Sequence, residues 1–416
     1  MAFATLSPLR HRSFALAVTS SFVSSVGTWM QSVALGIYLT ETTHNPVWLG
    51  LLTVAAWSPA IIGSPLGGVV ADRWSRQRWI QLNNLCMAGT ASALAVAALT
   101  HHLSPELACF LAVGEGLCGS ASWAAWQSLL RDLVDADEVL AAVSLSSAQF
   151  NLGRIVGPVC AAVALAFGSV GLCFVINAAS FVFVLIIFAF VHSAPRARPT
   201  TRVRIIAETV VGAKRAWAVH GCRYPIVGVG VVALIVSPFI ALVPAMAIIV
   251  LHAGKIGTTW LVTAQGIGAV VGALTLPVVA ARTSRVTVLR WSGAVLVVAL
   301  GAYGAAPDLG VAAAAMVMLG GAYVGTLTGL NTSVQLHAPT LERSRILALY
   351  TLSLSLFYPL GAFAQAEAAK VVGVRQVTLV AAGVMALVLI TLEFASPTVW
   401  RAMGPPTSAS PVLLAD

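Results

Sequence analysis

Long runs of hydrophobic residues alternate with short polar intervals along almost the whole chain. A helix needs roughly 20 apolar residues to cross the hydrocarbon layer of a bilayer, and twelve runs come close to that length or exceed it. They cover residues 14–38, 47–70, 79–100, 105–128, 139–167, 171–192, 226–251, 257–281, 288–306, 309–332, 346–369 and 375–395. The pattern therefore predicts an all-α membrane protein with twelve transmembrane helices, numbered here as the first to the twelfth span.

One polar interval is much longer than the others and separates six spans from six. We predict four regions: an N-terminal six-helix bundle at 1–192, a basic cytoplasmic linker at 193–224, a C-terminal six-helix bundle at 225–395 and a disordered cytoplasmic tail at 396–416. Within the linker, residues 205–219 have the pattern of a short basic amphipathic helix on the membrane surface. The tail prediction rests on its Pro and Ser content.

The two sets of six spans resemble repeats. A shift of 204 positions pairs related residues, and the pairs include Gly68 with Gly272, Gly157 with Gly361 and Gln127 with Asn331. Together with the six-plus-six hydropathy pattern, these matches predict two parallel repeats around an axis along the membrane normal.

Composition agrees with a lipid-embedded chain. Of its 416 residues, 59% are hydrophobic and only 9% are charged, whereas soluble domains carry roughly 25% charged residues. The net charge of +9 is better explained by basic cytoplasmic loops than by nucleic-acid binding. The six cysteines form no CxxC pair, so neither disulfides nor a metal site are expected.

The distribution of Lys and Arg predicts the orientation. With the N-terminus inside, 19 of the 23 basic residues fall on the inner side and 3 on the outer side, while Arg154 lies within a span. Both termini are therefore expected in the cytoplasm. The first span follows Arg10 and Arg12, but it is too long for a signal peptide and lacks a cleavage site, so we expect it to be retained.

Two charged residues lie deep inside predicted spans, where a charge is costly unless it faces a cavity or a partner. At about 1.5 Å per residue, Arg154 lies roughly 20 Å from the outer end of the fifth span and Glu115 roughly 15 Å from that of the fourth. Because these spans run antiparallel, we expect the two side chains to meet. In one interpretation Glu115 takes up and releases protons while Arg154 tunes it or holds an anionic substrate. In the other, they form a static ion pair.

The fifth span carries further candidates. Gln149 and Asn151 are expected to contribute to proton coupling or substrate binding. Gly153, Gly157 and Pro158 have a spacing that lets helices pack closely and bend. Simple helix packing and a role specific to export both remain open for these three.

Other polar and aromatic residues within the spans are candidates for a central cavity. The polar set either lines the cavity or bridges helices, and it consists of Gln31, Asn331 and Gln335 with Asn177, Gln265 and Gln365. Trp123, with Trp29, Met30, Trp57 and Trp126, either forms an apolar substrate pocket or faces lipid.

Several kinds of chemistry have no visible motif. None of the eight histidines lies in the middle of a span, which argues against a histidine proton relay. There is no Walker loop, HExxH or GxSxG motif, so neither an ATP-driven nor a hydrolytic protein is indicated. No cofactor is expected.

The charged turn between the second and third spans resembles a known family. It runs from Gly68 through Asp72 to a cluster of arginines, Arg73, Arg76 and Arg78. This pattern resembles the loop between helices 2 and 3 of the major facilitator superfamily, with Ser75 in place of the usual second glycine. Gly153, Gly157 and Pro158 likewise resemble the glycine-proline signature of that superfamily's antiporters.

Longer stretches, 127–135, 151–158 and 331–361, resemble the branch that contains enterobactin exporters and macrolide-efflux proteins. The resemblance covers nearly the whole chain. It implies the major facilitator fold and secondary active export of a small molecule, usually in exchange for protons.

The family arrangement also implies a latch. It places the second and eleventh spans side by side, so Asp72 would face the N-terminal end of the eleventh span, where the helix dipole favours an acid. Gly68 would allow the backbones to approach, and the contact would hold the outward-facing state closed on the cytoplasmic side. Arg131 and Asp132 are expected partners. Alternatively, these residues are solvated loop charges that set the topology.

We therefore predict a multi-pass inner-membrane exporter that works by alternating access, with a small amphipathic substrate, protons as coupling ion and the bilayer as its partners. A monomer without nucleic acid, metal or enzymatic activity is expected. An importer or facilitator of a small metabolite is the alternative within transport. An integral-membrane enzyme would need a catalytic cluster, which the sequence lacks, and a receptor without transport would show no substrate flux.

Overall fold

The computed structural model describes residues 6–192, 216–339, 342–394 and 398–404. Most of the predicted linker, including the amphipathic segment up to residue 215, and residues 405–416 of the tail lie outside these ranges. The side chains of Ala71, Asp72, Ala124 and Ser344 are also outside the description, although their backbone lies in helices.

Within the described ranges the chain is helical, and twelve helices are long and apolar enough to cross a membrane. This confirms the predicted fold class. The helices are α1 Arg12–Thr43, α2 Val47–Trp57 with Ala60–Arg73, α3 Arg76–Leu99, α4 Pro105–Leu130, α5 Val139–Phe167, α6 Val170–Phe188, α7 His220–Ile235 with Pro238–Ala245 and Met246–Val250, α8 Gly254–Arg282, α9 Arg285–Ala305, α10 Leu309–His337, α11 Arg343–Val372 and α12 Val374–Phe394.

Prolines interrupt two of these helices. The break in α2 falls at Pro59 and the break in α7 directly precedes Pro238, because proline lacks an N–H donor and its ring crowds the preceding turn. The segment Met246–Val250 after Pro244 is a π-helix. At the break in α7, the Ser237 hydroxyl donates to the carbonyl of Val232 at 3.2 Å.

Side-chain caps mark the start of four helices. Ser75, Ser104, Ser284 and Asp308 each accept a hydrogen bond from the backbone N–H three residues later, at 3.0–3.4 Å. These bonds satisfy N–H groups that the helix itself leaves unpaired. The capped helices are the third and fourth of each set of six, so the two halves share their start signals. Ser75, which departs from the family's usual glycine, supplies the cap of α3.

The chain divides into two compact units. The first contains residues 1–201, 241–263 and 369–374, and the second contains 202–240, 264–368 and 375–416. In the first unit, the C-terminal half of α1 packs against the 241–263 segment. A Cβ atom on Gly36 would lie 2.8 Å from Pro244, and Lys255 Nζ lies 3.2 Å from Glu41 Oε2. The first unit is therefore not continuous in sequence, unlike the predicted bundle at 1–192.

One end of the first unit is closed by a large apolar cluster. Phe14 of α1, Trp126 and Leu129 of α4 and Phe188 of α6 are buried in it. Gln77, at the start of α3, donates to the backbone carbonyls of Phe188 at 2.7 Å and of Val191 at 2.9 Å. The cluster thus joins the ends of four helices around the polar turns that connect them.

The second unit corrects two predicted boundaries. Helix α7 begins at His220, inside the predicted linker. Its first turns are helical because Cys222 and Ile226 are buried in the apolar core of the second unit. The tail, predicted to be disordered from 396, contains a short helix, α13, at Thr398–Ala402. Val399 and Met403, four residues apart and so on one helical face, are buried in this core. Burial of these two apolar side chains stabilises the short helix although the surrounding sequence is polar.

Glycines bring particular pairs of helices into backbone contact. A Cβ atom on Gly67 would lie 2.2 Å from the carbonyl oxygen of Ala121, which joins α2 to α4. In the second unit, a Cβ atom on Gly268 would lie 1.8 Å from the carbonyl oxygen of Val317, which joins α8 to α10. The contact predicted for Gly68, an approach to the eleventh span, stays a prediction; among the described atoms, a Cβ atom on Gly68 would have no neighbour within 4 Å. The contact of the neighbouring Gly67 with α4 is a different one.

We expect Gly268→Ala to destabilise the protein, because the added methyl group would overlap a backbone carbonyl rather than a movable side chain. Overpacking of this kind costs about 1–3 kcal/mol. Gly383→Ala in α12 is the matched control, since a Cβ atom there meets no described atom within 4 Å. Thermal unfolding of the detergent-purified variants should show a lower midpoint only for Gly268→Ala. Equal midpoints would contradict this packing.

Candidate functional site

A cavity of about 450 Å³ lies within the first unit. Side chains from all six helices α1–α6 line it. Its volume falls in the range of roughly 300–1,000 Å³ that is usual for small-molecule sites. The predicted cavity residues Gln31 and Trp123 are both in its lining.

Helix α1 presents hydroxyl groups to this cavity. Ser21, Ser25, Thr28 and Ser32 are lining residues, and their spacings of four, three and four place them on one helical face. Gln149 of α5 also lines the cavity and donates to the Ser21 hydroxyl at 3.3 Å. One side of the cavity is therefore polar but uncharged.

Aromatic side chains form another part of the wall. The rings of Trp123 and Phe150 have centroids 5.6 Å apart, and those of Trp29 and Phe150 are 6.1 Å apart at 66°. Trp57 and Trp126 are further lining residues. These four tryptophans therefore line a cavity, and their role as a substrate pocket stays a prediction. The neighbouring Met30 is instead buried in the core.

Close packing of α5 on α1 positions this aromatic group. A Cβ atom on Gly153 would lie 2.7 Å from Ser25 Cβ, and one on Gly157 would lie 2.6 Å from Trp29 Cβ. Pro158 is buried directly after them. Small residues at these positions let α5 approach α1, so Phe150 reaches the rings of Trp29 and Trp123.

The cavity contains one acidic side chain, Glu115 of α4, which is held by a chain of amides. Gln31 of α1 donates from Nε2 to Glu115 Oε2 at 2.5 Å. Asn177 of α6 donates from Nδ2 to Gln31 Oε1 at 2.8 Å. The Ser180 hydroxyl donates in turn to Asn177 Oδ1 at 3.2 Å. Helices α1 and α6 are thereby connected to the carboxyl group of α4.

The absence of a side chain at Gly27 makes room for this chain of amides. A Cβ atom at that position would lie 2.6 Å from Asn177 Oδ1 and 2.7 Å from the Ser180 hydroxyl. The other carboxyl oxygen, Glu115 Oε1, is sealed from solvent and has no hydrogen-bond partner among the described atoms. An oxygen in this position can accept a hydrogen bond, bind a proton or lie beside a cation.

The expected ion pair between the Glu115 and Arg154 side chains is not among the described contacts. Among the described contacts of Glu115 there is no ion pair with Arg154, and Arg154 does not line the cavity. The two residues differ in depth by roughly 5 Å along their helices, whereas the Gln31 amide of α1 reaches the carboxylate directly and is itself bound by Asn177 of α6. Asn151, exposed on α5, donates to the Ser147 carbonyl of its own helix at 2.8 Å.

The charged residues predicted to form a latch lie at one end of the first unit. Arg76 of α3 forms an ion pair with Asp132, which follows α4. Arg73, Arg78 and Arg131 are exposed. The side chain of Asp72, the central residue of that prediction, lies outside the described part of the chain, as does any contact that it makes.

A second contact at the same end ties the N-terminal segment to the loop before α5. The His11 ring nitrogen lies 2.6 Å from Glu138 Oε2. A hydrogen bond from the Ser7 side chain lowers the pKa of the Glu138 carboxyl, and the contact with His11 lowers that pKa further. Glu138 is therefore suited to remain ionised and to hold the segment before α1.

Two polar candidates of the second unit, Asn331 and Gln335, contact each other. Gln335 donates to Asn331 Oδ1 at 2.6 Å, one turn earlier on α10. This contact lies within one helix.

Sequence reasoning missed the connection between Glu115 and two amides. Gln31, which donates to Glu115, and Asn177, which donates to Gln31, were candidates for a cavity or for helix bridging, without a connection to the acid. Measured from the end of α1 in the structure, Gln31 lies roughly 18 Å deep, close to the roughly 15 Å of Glu115. Measured from residue 38, the predicted end of the first span, its depth is only roughly 10 Å, so depth estimated from the sequence did not distinguish Gln31 from Arg154 as the partner.

Comparison with solved structures identifies the fold. A bacterial homologue of the human lysosomal transporter Spinster, in an inward-facing and unoccupied conformation, matches with a TM-score of 0.76 at 13% identity, over 96% of this chain and 99% of that chain. This likeness establishes the fold, which is that of the major facilitator transporters.

The sequence identifies the family. The family model described as transmembrane secretion effector matches residues 3–409, and the chain belongs to this family of the major facilitator superfamily. It is 27% identical over 149 residues to the staphyloferrin A transporter of Staphylococcus aureus, which covers 36% of this chain and 38% of that protein. It is 27% identical over 164 residues to the enterobactin exporter EntS of Citrobacter koseri, 38% of each chain. These alignments span less than two fifths of either relative. The resemblance read from the motifs is confirmed, and the protein is a multi-pass membrane transporter.

We expect Asn177→Leu to lower stability, because the carbonyl oxygen of Gln31 would lose its donor in a buried position. Leaving such a group unsatisfied costs about 1–3 kcal/mol. Asn151→Leu is the control, since Asn151 is exposed and bonds only within its own helix. Thermal unfolding in detergent measures the difference. A midpoint for Asn177→Leu that matches Asn151→Leu would show that the amide chain does not support the fold.

Proposed function

We propose that this transporter exports a small amphipathic molecule in exchange for protons by alternating access. The observation that carries the proposal is the Glu115 carboxyl group inside a substrate-sized cavity, with one oxygen bound by Gln31 and the other sealed from solvent with no partner in the described part of the chain. A charge at such a position is costly, and it is retained where it serves an ion or a proton.

The residues have distinct roles in this proposal. Glu115 carries the proton, and Gln31 and Asn177 hold its carboxyl group in place. The hydroxyl face of α1 and the rings of Trp29, Trp123 and Phe150 contact the substrate. The names of the two relatives, a staphyloferrin A transporter and an enterobactin exporter, support small-molecule transport, and the second name supports export.

The charged turn after α2 retains its proposed role as a latch, and a monomer remains the proposed assembly. The ion pair between Arg76 and Asp132 ties this turn to the end of α4, which would give Asp72 a fixed base from which to contact another helix. Asp72 carries the charge of the proposed latch, and Gly68 is the position at which the backbones of the second and eleventh spans would approach.

Glu115→Gln should abolish transport against a gradient while leaving the fold intact, because glutamine keeps the shape and the bond to Gln31 but binds no proton. A host strain that lacks its own efflux pumps is first screened with a panel of toxic amphipathic compounds. The strongest hit is then measured in proteoliposomes with an imposed pH gradient, and an internal pH dye reports proton movement.

Glu106→Gln is the matched control, since Glu106 lies in the first turn of the same helix and outside the cavity. The wild type and Glu106→Gln should accumulate substrate and move protons, and Glu115→Gln should do neither. Undiminished proton-linked accumulation by Glu115→Gln would refute the coupling role.

We also propose that both termini face the cytoplasm, on the basis of the 19 basic residues assigned to the inner side. A fusion after residue 210 should be fluorescent with green fluorescent protein and inactive with alkaline phosphatase, which needs an oxidising compartment. Fusions after residue 102, between α3 and α4, should give the reverse pattern. An active phosphatase at 210 would overturn the orientation.

A further inference from the structure

The charge carried by the described lining of the first unit's cavity is negative. Among the described residues, the lining contains one ionisable side chain, the acid Glu115, and no Lys, Arg or His. A substrate anion placed here would lie near a carboxylate without a compensating cation from the lining. Removing such a charge from water without a partner is strongly unfavourable. The lining therefore discriminates against anions.

The aromatic wall favours the opposite charge. Rings carry negative potential on their faces, so a cation within about 6 Å of a ring centroid is stabilised. Trp29, Trp123 and Phe150 form one connected group with centroid separations of 5.6 and 6.1 Å. A flat or multi-ring molecule can stack against this group, and a positive centre within it can face Glu115.

The hydroxyl groups of the lining are also compatible with a bound cation. The hydroxyl groups of Ser25, Thr28 and Ser32 offer lone pairs to a cation or its attached N–H groups and require no second charge. The volume of about 450 Å³ accommodates a drug-sized molecule.

From these observations we infer that the substrates of this transporter are aromatic monocations that bind between Glu115 and the Trp29–Trp123–Phe150 ring group. The inference rests on the proposed transport function and narrows its substrate class. It separates this protein from a carrier of multiply anionic chelators, because such molecules would find no cation in this lining.

A pair of probes with matched size and opposite charge tests the inference. Tetraphenylphosphonium and tetraphenylborate both carry four phenyl rings, and neither gains or loses a proton. Equilibrium binding of each is measured on the full-length protein in nanodiscs, with empty nanodiscs subtracted. Tetraphenylphosphonium should bind saturably and tetraphenylborate should not.

Variants then assign the site. Glu115→Gln should weaken tetraphenylphosphonium binding about tenfold or more, equivalent to the loss of one close charge interaction, whereas Glu115→Asp should retain much of it. Phe150→Leu should weaken binding several-fold. Glu106→Gln and Trp260→Leu are the controls for charge and ring, because neither residue lines the cavity. Unfolding midpoints identify any variant that loses binding by misfolding.

The outcomes separate this inference from the proposed function. Saturable binding of tetraphenylborate, binding of neither probe, or tetraphenylphosphonium binding that is unaffected in both Glu115→Gln and Phe150→Leu would overturn the substrate class, even if proton-linked export is found with another compound. Tetraphenylphosphonium binding that depends on Glu115, in a protein that moves no protons, would support the substrate class and refute the proton exchange.

Discussion

The structure of the first unit depends on how one carboxyl group is accommodated away from bulk water. Glu115 could not remain there without a donor, and the donor is Gln31 on α1, which is held in turn by Asn177 on α6. These bonds fix the rotation of three helices about their axes, and Gly27 provides the space for them. Glu115 and Gln31 line the same cavity as the ring group of Trp29, Trp123 and Phe150. The same contacts therefore stabilise the fold and place an acidic group and aromatic rings in the cavity wall.

Much of the fold was predictable because the membrane imposes a single strong requirement on length and composition. Twelve apolar runs became twelve helices, and the depth of Glu115 marked it as a site residue. Its partner was predicted wrongly as Arg154, since depth supplies only one of the coordinates that decide a contact. The rotation of each helix comes from packing, such as Gly153 and Gly157 against α1, and apolar periodicity is a weak guide to it when nearly every face is apolar.

Some local features were not marked by the sequence patterns. Gly67, beside the motif glycine Gly68, packs against α4. Ser75 caps α3 with its hydroxyl, a contact within the first turn of that helix. The short helix α13 forms in a polar stretch because Val399 and Met403 are buried in the core of the second unit. The contacts of Gly67 and of Val399 and Met403 depend on tertiary packing, which a local pattern does not specify.

The first unit is assembled from segments that are far apart in the sequence. The C-terminal half of α1 packs against Pro244, and its Glu41 forms an ion pair with Lys255. During synthesis, those partners emerge only after more than half of the chain has left the ribosome. Until then, the surface around Gly36 remains open to lipid or to the insertion machinery. Helix α1 thus reaches its final surroundings late, so its membrane insertion and its final packing are separate events in time.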